Sequence, residues 1–256
     1  MPELPEVETV VRQLKQKVVG RTVQRFTSQD KLVIHQSMKK LVPGEITNVE
    51  RKGKYLLFHI GSQIILAHLR MTGHFSLDVK GGKYLAGTFH FTDGGRLNFH
   101  DIRRFGRVKL VSDIGKELQH IGPDPLEIDS SLFVRRLQQH PQANIKSKLL
   151  DQSCISGIGN IYTQEALYHA HVHPHQKIGD VPAKTLKNIF TQLQRILRLA
   201  IDNNGTTVHN YTTIDGKGDF QQFLAVYGKE NCPRGHAISR MVIQGRGTYY
   251  CGKCQR

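Results

Sequence analysis

Residues 45–60 read EITNVERKGKYLLFHI, a stretch rich in the β-branched and aromatic residues that are typical of strands. Five more short runs of this kind lie between Arg21 and Val111: RTVQRF, QIILAHLRM, GTFHFT, RLNFH and FGRVKLV. Glycines punctuate the runs, at Gly61, Gly73, Gly81, Gly82, Gly94 and Gly95. Many short strands with glycine turns predict a β-sandwich. The segment FTDGGRLNF (91–99) predicts a hairpin.

Helical spacing of apolar residues brackets this strand-rich region. At the start of the chain it predicts an amphipathic helix ended by Gly20, with an apolar face of Leu4, Val7, Val10, Val11, Leu14 and Val18. Later it predicts a core helix stopped at residues 203–205, with a face of Leu186, Ile189, Phe190, Leu193, Ile196, Leu197, Ala200 and Ile201. The proline-containing stretch IGPDPLEIDSS (121–131) has no periodicity and is typical of a linker. We therefore expect an α+β multidomain chain, with a β-sandwich domain over 1–125, a helical domain over 126–225 and a small C-terminal module over 226–256.

The net charge of the chain indicates which class of partner it binds. It has 256 residues, with 36 Lys and Arg against 21 Asp and Glu, a net charge of +15 spread along the chain. Such a field attracts polyanions, although a merely soluble basic protein or a binder of anionic lipid is an alternative. No run approaches the roughly 20 apolar residues of a membrane span, and the N-terminal segment lacks a signal peptide's apolar core. We expect a cytoplasmic protein.

Three of the four cysteines lie near the C-terminus and suggest a metal site. Cys232, His236, Cys251 and Cys254 form the pattern C-x3-H-x14-C-x2-C, whose halves are joined by a predicted hairpin turning at residues 244–247. Two close ligand pairs joined by a hairpin can complete a tetrahedral zinc shell. Four protein ligands leave no open position, so the expected cofactor is one structural Zn²⁺. The alternative is three free cysteines beside an unrelated histidine.

Two further stretches carry candidate chemistry. In MPELPEVETV (1–10), removal of the initiator methionine would leave Pro2 with an unblocked secondary amine, although a proline in the first turn of a helix is the plainer interpretation. In SGIGNIY (156–162), Gly157 and Gly159 allow tight turns before Asn160, where a helix should begin. A helix N-terminus can bind phosphate, and an ordinary Asn N-cap is the alternative. Cys154 is interpreted as a buried free thiol.

Six motifs occur in order along nearly the whole chain: PELPEVET (2–9), RKGKYLL (51–57), HLRMTG (68–73), DIRRFG (101–106), GIGNIY (157–162) and GRGTYYCGKCQR (245–256). Together they resemble the motifs of the formamidopyrimidine-DNA glycosylase family of bacterial repair enzymes. The resemblance implies a β-sandwich, a helix-two-turn-helix domain and a zinc finger. It implies a bifunctional DNA glycosylase and abasic-site (AP) lyase of base excision repair that excises oxidised purines. The partner would be duplex DNA containing oxidised bases or abasic sites, bound by a monomer in the bacterial nucleoid.

The resemblance also assigns the catalytic residues. Pro2 would be the nucleophile that attacks C1′ of the damaged nucleotide, since an α-amine has a pKa of about 7.7 to 8.0, against about 10.4 for lysine. Glu3 would protonate the sugar ring oxygen or move protons between steps. Lys54 would contact a phosphate and support elimination, and Arg246 would act in the same chemistry. Glu6 would orient the amine and the sugar. Glu8 is interpreted as helix-dipole compensation, and Arg51 as a solvated charge.

The remaining implied residues bind DNA. Met71 would fill the void left by the extruded base, Arg103 would bond the orphaned partner base, and Phe105 would wedge between neighbouring pairs. Met and Phe in strand-rich segments are more often core residues, and only the motifs favour the other interpretation. Asn160 and Arg246 match phosphate contacts of the family, with His68 assisting.

Two departures and two rival functions accompany the resemblance. Gly235 stands where the finger's second cysteine would fall, with His236 one residue later, so zinc binding is expected but weakened. In the loop expected to cap the extruded base, His209 replaces a common arginine, which leaves the lesion preference open. The rivals are an endonuclease VIII-like glycosylase for oxidised pyrimidines and a non-catalytic, zinc-stabilised protein that binds damaged DNA.

Overall fold

The computed structural model describes residues 1–207 and 214–256, and the chain divides into two compact units. One unit comprises Met1–Gln119 with Asn203–Asp219, and the other comprises His120–Asp202 with Phe220–Arg256. The expected division into 1–125, 126–225 and 226–256 stays a prediction. Within the described residues, no helix combines the length and the apolar character needed to span a bilayer.

The first unit opens with helix α1 (Leu4–Val18), as the apolar spacing predicts. Its apolar face is buried against the sheets, with Leu4, Leu14 and Val18 fully inaccessible to solvent. Lys15 and Lys17 lie in its last turn, where positive charge complements the partial negative charge of the helix end.

Eight antiparallel strands form the predicted β-sandwich. The two four-stranded layers run β5-β7-β6-β1 and β2-β3-β4-β8, and they meet where β1 pairs with β2 over two residue pairs. The hairpin predicted at residues 91–99 is the β6–β7 connection, which turns at Gly94 with φ +88°. The bounds are β1 (Thr22–Ser28), β2 (Gly44–Lys52), β3 (Tyr55–Ile60), β4 (Gln63–His68), β5 (Gly73–Leu77), β6 (Leu85–Phe91), β7 (Arg96–Asp101) and β8 (Arg107–Val111).

The core of this unit is aromatic at its centre. Phe58 stacks on Phe89 at 5.9 Å between ring centroids and meets Phe75 edge-on at 5.5 Å. Offset and edge-to-face pairs of this kind add to the burial of apolar area. A short 3-10 helix (Gln36–Lys40) and helix α2 (Ile114–Leu118) complete the unit; the sequence patterns did not predict either.

Four helices build most of the second unit. Asp129 caps the first of them through a 2.7 Å bond from the Leu132 N–H. The long helix confirms its predicted apolar face, because all eight residues of that face are buried. The bounds are α3 (Ser130–Gln138), α4 (Ile145–Leu149), α5 (Asn160–His169) and α6 (Ala183–Asp202), with 3-10 turns at Ile178–Asp180 and Phe220–Phe223.

The C-terminal segment of this unit is the predicted hairpin. Strands β9 (Ser239–Ile243) and β10 (Arg246–Tyr250) pair from Ile243↔Arg246 outward. The turn consists of Gln244 and Gly245 alone, at φ +48° and +70°, as a tight two-residue turn requires. Arg246 therefore begins β10 instead of lying within the turn.

Candidate active site

The first turn of α1 is organised around two carboxylates. Glu3 caps the helix and forms a capping box with Glu6, in which the Glu3 carboxylate accepts the Glu6 N–H and the Glu3 N–H donates to Glu6 Oε2 over 2.8 Å. Pro2, Glu3 and Glu6 are all buried. Pro2 lies outside the helix, before its cap, and Pro5 is the proline of the first turn. The interpretation of Pro2 as a helix proline is therefore wrong.

The other oxygen of Glu6 contacts the segment that follows α6. Glu6 Oε1 accepts the Thr206 N–H over 2.8 Å. Gly205 permits this approach, since it has φ +79° and a Cβ there would lie 2.9 Å from Glu6 Oε1. One carboxylate thus holds both the Glu3 backbone and residues 205–206. The interpretation placed on His209 lies outside the described residues.

An ion pair holds the β2–β3 turn against α1. Arg51 donates to Glu8 Oε2 over 2.8 Å and to the Gly53 carbonyl over 3.1 Å. Its side chain is only 7 % exposed, so the expectation of a solvated charge at Arg51 is wrong. Burial raises the pKa of Glu8, but Arg51 and Arg12 outweigh it and hold that pKa below its ordinary value. The turn carrying Lys54 is thereby fixed beside the first turns of α1.

Lys54 and His68 lie at the same end of the sheet. Lys54 directly precedes Tyr55, which pairs with His68 across β3 and β4 and meets its ring edge-on at 4.6 Å. Both polar residues are buried. His68 Nδ1 accepts the Arg70 N–H over 2.9 Å, so the proton of the neutral ring is on Nε2. Burial, together with the nearby Arg70 and Lys54 charges, lowers the pKa of His68 to about 3. His68 therefore acts as a neutral hydrogen-bond donor.

The titration of His68 should appear in the stability of the protein. In the unfolded chain the ring takes up a proton near pH 6.5, whereas in the folded protein it does so only near pH 3. Between these values the unfolded chain binds more protons, so this contribution to stability is complete above pH 6.5 and declines as the pH falls. The variant His68→Asn retains an acceptor for the Arg70 N–H. We expect its melting temperature to fall less than that of the wild type between pH 7 and pH 4.5. Thermal denaturation in a pH series measures this, and parallel curves for the two proteins would contradict it.

Three side chains form an exposed cluster on two loops of the first unit. Met71 is 39 % and Phe105 49 % exposed, and the Arg103 guanidinium lies 4.8 Å from the centroid of the Phe105 ring. Together with Met1, Arg70 and Arg107, they line an open pocket with a volume of about 440 Å³. The interpretation of Met71 and Phe105 as core residues is therefore wrong. Apolar side chains exposed among arginines are suited to insertion into an anionic partner.

In the second unit, the start of α5 meets β10. Gly159 is the N-cap and Asn160 the first helical residue, so Asn160 is not an ordinary N-cap. The Asn160 Nδ2 donates to the Gly247 carbonyl over 3.1 Å, and its Oδ1 is buried without a hydrogen-bond partner among the described residues. Arg246, exposed and adjacent to Gly247, lines a concave surface with Asn144, Ser147 and Lys148. The two predicted phosphate-binding residues thus lie on adjoining elements.

The four predicted metal ligands come together. The ligand atoms of Cys232, His236, Cys251 and Cys254 all lie within 4.8 Å of one another, so the cluster can hold a metal ion. Cys254 Sγ is 3.3 Å from His236 Nδ1 and 4.0 Å from Cys232 Sγ. Cys154 lies outside the cluster and is buried, as interpreted from the sequence, and burial raises its pKa.

Glu165 supports this cluster, although the sequence patterns did not predict a role for it. It is 1 % exposed, and its carboxylate accepts the N–H groups of Ala225, Val226 and Tyr227 over 2.7–3.0 Å. Burial raises its pKa, which the three hydrogen bonds oppose. These bonds anchor the segment before Cys232 to α5. A glutamate in a helix gives no sequence signal for such a role, because its partners lie about 60 residues away.

Comparison with known proteins matches this fold and these motifs. Residues 1–108 match the formamidopyrimidine-DNA glycosylase N-terminal domain, and residues 121–212 match the formamidopyrimidine-DNA glycosylase H2TH domain. The formamidopyrimidine-DNA glycosylases of Lactobacillus gasseri and Bacillus subtilis are each 38 % identical to the chain, over 100 % of its length and 99 % of theirs.

Solved structures give the same result. A Lactococcus lactis Fpg complexed with DNA containing an abasic site superposes with a TM-score of 0.91 at 33 % identity, covering 99 % of each chain. A MutM complexed with DNA containing carbocyclic 8-oxo-G also gives 0.91 at 33 %, covering 100 % of each chain. The fold and the matches define a DNA glycosylase. The chain belongs to the formamidopyrimidine-DNA glycosylase family.

Proposed function

We propose that the protein excises oxidised purines, 8-oxoguanine and formamidopyrimidines, from duplex DNA and then cleaves the abasic site. Pro2, Glu3, Lys54 and Arg246 are its catalytic residues, and Glu6, His68, Met71, Arg103, Phe105 and Asn160 bind or position DNA. The observation that carries the proposal is the burial of Pro2 and Glu3 directly before the capped turn of α1, which Arg51 joins to the turn of Lys54.

The nucleophile is the Pro2 nitrogen after Met1 is removed. The neutral nitrogen forms a bond to C1′ and gives up its N–H proton, while the bond from C1′ to the damaged base breaks. The base leaves with the bonding electron pair and takes up a proton. Glu3 protonates the ring oxygen as the sugar opens, and the nitrogen, being secondary, becomes a positively charged iminium. The capping box holds Glu3 in place during these steps, since both of its halves are formed in the folded chain.

Elimination follows from that iminium. It withdraws electrons from C2′, which loses a proton as the 3′-phosphate leaves. In the conjugated iminium that results, C4′ loses a proton as the 5′-phosphate leaves. Lys54 supports the first step, and Arg246 the second, by stabilising the departing phosphates. The burial of Lys54 excludes water and strengthens its attraction for a phosphate.

Extrusion of the base uses the exposed cluster. Unstacking and unpairing one nucleotide costs a few kcal/mol, which Met71 offsets by filling the void and Phe105 by wedging the neighbouring pair. Arg103 bonds the orphaned base, and the contact with Phe105 orients its guanidinium. Asn160, Arg246 and neutral His68 contact phosphates, and Arg246 contributes its charge to a salt-dependent affinity.

The metal at the Cys232, His236, Cys251 and Cys254 cluster is a structural Zn²⁺. A tetrahedral shell with Zn–S near 2.3 Å and Zn–N near 2.0 Å places sulfurs about 3.8 Å apart and sulfur about 3.5 Å from nitrogen. The separations of 4.0 Å for Cys232–Cys254, and of 3.3 Å and 3.8 Å from His236 Nδ1 to Cys254 and Cys251, fit this shell. Three thiolates and an imidazole suit zinc. Bound there, the metal fixes the hairpin that carries Arg246.

Borohydride trapping tests this function. The protein lacking Met1 is incubated with duplexes containing 8-oxoguanine opposite cytosine, an oxidised pyrimidine, or an abasic site, and is then reduced. We expect a covalent adduct with the first and third duplexes. Adducts with the pyrimidine lesion and the abasic site, but none with 8-oxoguanine, would indicate the endonuclease VIII-like activity, and binding without any adduct would indicate a non-catalytic protein.

A further inference from the structure

Two loops of the first unit carry the exposed cluster, and both have strained backbone. The Met71 loop (69–72) joins β4 to β5, and the Phe105 loop (102–106) joins β7 to β8. Arg70 has φ +54° and Arg104 φ +58°, in the left-handed region that non-glycine residues seldom adopt. Such conformations persist where the surroundings hold them, so other contacts must fix these two loops.

Those contacts converge on Asp101, the last residue of β7, which is only 2 % exposed. Asp101 Oδ1 accepts the Thr72 hydroxyl over 2.5 Å and the Arg103 N–H over 3.2 Å, while Oδ2 accepts the Gly106 N–H over 2.5 Å. The Thr72 Oγ1 in turn accepts the Arg103 N–H over 3.0 Å. One carboxylate and one hydroxyl thus join the two loops.

The approach of the Phe105 loop to Asp101 requires a small residue. A Cβ at Gly106 would lie 2.9 Å from Asp101 Oδ2 and 3.0 Å from the Phe99 ring. The hydrogen bonds therefore hold both ends of the Phe105 loop, at Arg103 and at Gly106. The Met71 loop is held at Thr72, the residue after Met71. Each of the three exposed side chains belongs to, or lies next to, a residue that this network fixes.

We propose that Asp101 and Thr72 are positioning residues that align Met71, Arg103 and Phe105 before DNA is distorted, and that they set both the efficiency of base extrusion and the preference for the opposite base. The inference rests on the roles proposed above for those three side chains. Unstacking is offset only by side chains that enter the duplex, and loops already ordered lose less entropy when they do so. Arg103 discriminates between opposite bases only if its donors are fixed, because a guanidinium on a mobile loop can follow a different acceptor.

Three substitutions separate positioning from folding. Thr72→Val removes the hydroxyl at nearly constant shape, and Thr72→Ser retains it. Asp101→Asn retains one acceptor oxygen but replaces the other with an NH₂ group, which cannot accept a hydrogen bond from an N–H or a hydroxyl. The readouts are single-turnover excision from duplexes with the lesion opposite cytosine or adenine, and cleavage of an abasic site in single-stranded DNA. The last substrate leaves no void to fill and no opposite base.

We expect Thr72→Val and Asp101→Asn each to slow duplex excision about tenfold. Each should also lower, at least threefold, the ratio of the excision rate opposite cytosine to the rate opposite adenine. The double variant should be about as slow as either single variant, because the two residues act through one network. Cleavage of the single-stranded abasic site should stay within about twofold of wild type, and Thr72→Ser should restore both duplex rates.

Asp30→Asn is the matched control. Asp30 bonds the Arg104 side chain of the same loop, over 2.5 and 2.9 Å, but it contacts no backbone N–H of that loop among the described residues. This variant should keep all three rates within about twofold. Unchanged excision and base preference in Thr72→Val and Asp101→Asn would overturn the inference, as would an equal loss of single-stranded cleavage. Failure of the proposed function is distinguishable, because the wild type itself would then excise the lesion from neither duplex.

Discussion

Replacing Pro2 by glycine should lower both excision and abasic-site cleavage by about a thousandfold or more, as loss of a catalytic nucleophile does elsewhere, and should strongly lower the yield of the borohydride-trapped adduct. Glycine supplies a primary amine, which forms an imine that can lose its charge, whereas the proline nitrogen gives an iminium that cannot. Glycine also lacks the pyrrolidine ring, which is buried at Pro2 and restricts the backbone next to the nitrogen.

The measurement is single-turnover nicking of an abasic duplex together with adduct yield, and intact mass confirms that Met1 is absent. Pro5→Ala is the control, because Pro5 is also buried near the N-terminus but lies within the first turn of α1. It should change the melting temperature and leave the adduct in place. Undiminished nicking by Pro2→Gly, or full activity in protein that retains Met1, would overturn the assignment of the nucleophile.

Loss of the metal should weaken DNA binding by about 2 kcal/mol, roughly thirtyfold, because a hairpin that is no longer fixed cannot present Arg246. The slope of log affinity against log salt should become shallower by about one for each phosphate that the protein no longer neutralises. Cys251→Ser should bind no Zn²⁺, since a structural site that lacks one of four ligands loses most of its affinity.

Cys154→Ser is the matched control for this prediction, because Cys154 is also buried but lies outside the cluster. It should retain one Zn²⁺ per chain, measured by inductively coupled plasma mass spectrometry, and near wild-type affinity in fluorescence anisotropy. His236→Cys tests the departure from the family pattern and should retain the metal at least as tightly. Equal zinc content in Cys251→Ser and Cys154→Ser would contradict the assigned ligands.

Much of the fold could be predicted from the sequence, because its signals are local and periodic. The apolar face of α6 and the turn at Gly94 follow from spacing and turn chemistry within a few residues. The metal cluster was predictable for the same reason, since Cys251 and Cys254 form a close pair. Four residues with ligand-type side chains and a hairpin between them leave few alternatives.

The remainder depends on contacts between distant residues. Arg51 reads as a solvated charge because its partner, Glu8, is 43 positions away. Asp101 lies within a recognisable motif, but nothing local reveals that its carboxylate holds two loops. Met71 and Phe105 are exposed, although their apolar side chains by themselves favour a position in the core. The family motifs named these two residues, and only the fold gave the physical reason.

The two hydrogen bonds that the Glu6 carboxylate accepts have a practical consequence for protein engineering. Because Glu6 accepts from both the Glu3 and the Thr206 amides, grafting a relative's sequence after α6 would disturb Glu3, the neighbour of the proposed nucleophile, if the splice fell at residues 205–206. Exchanges that begin beyond Thr207 leave that junction intact.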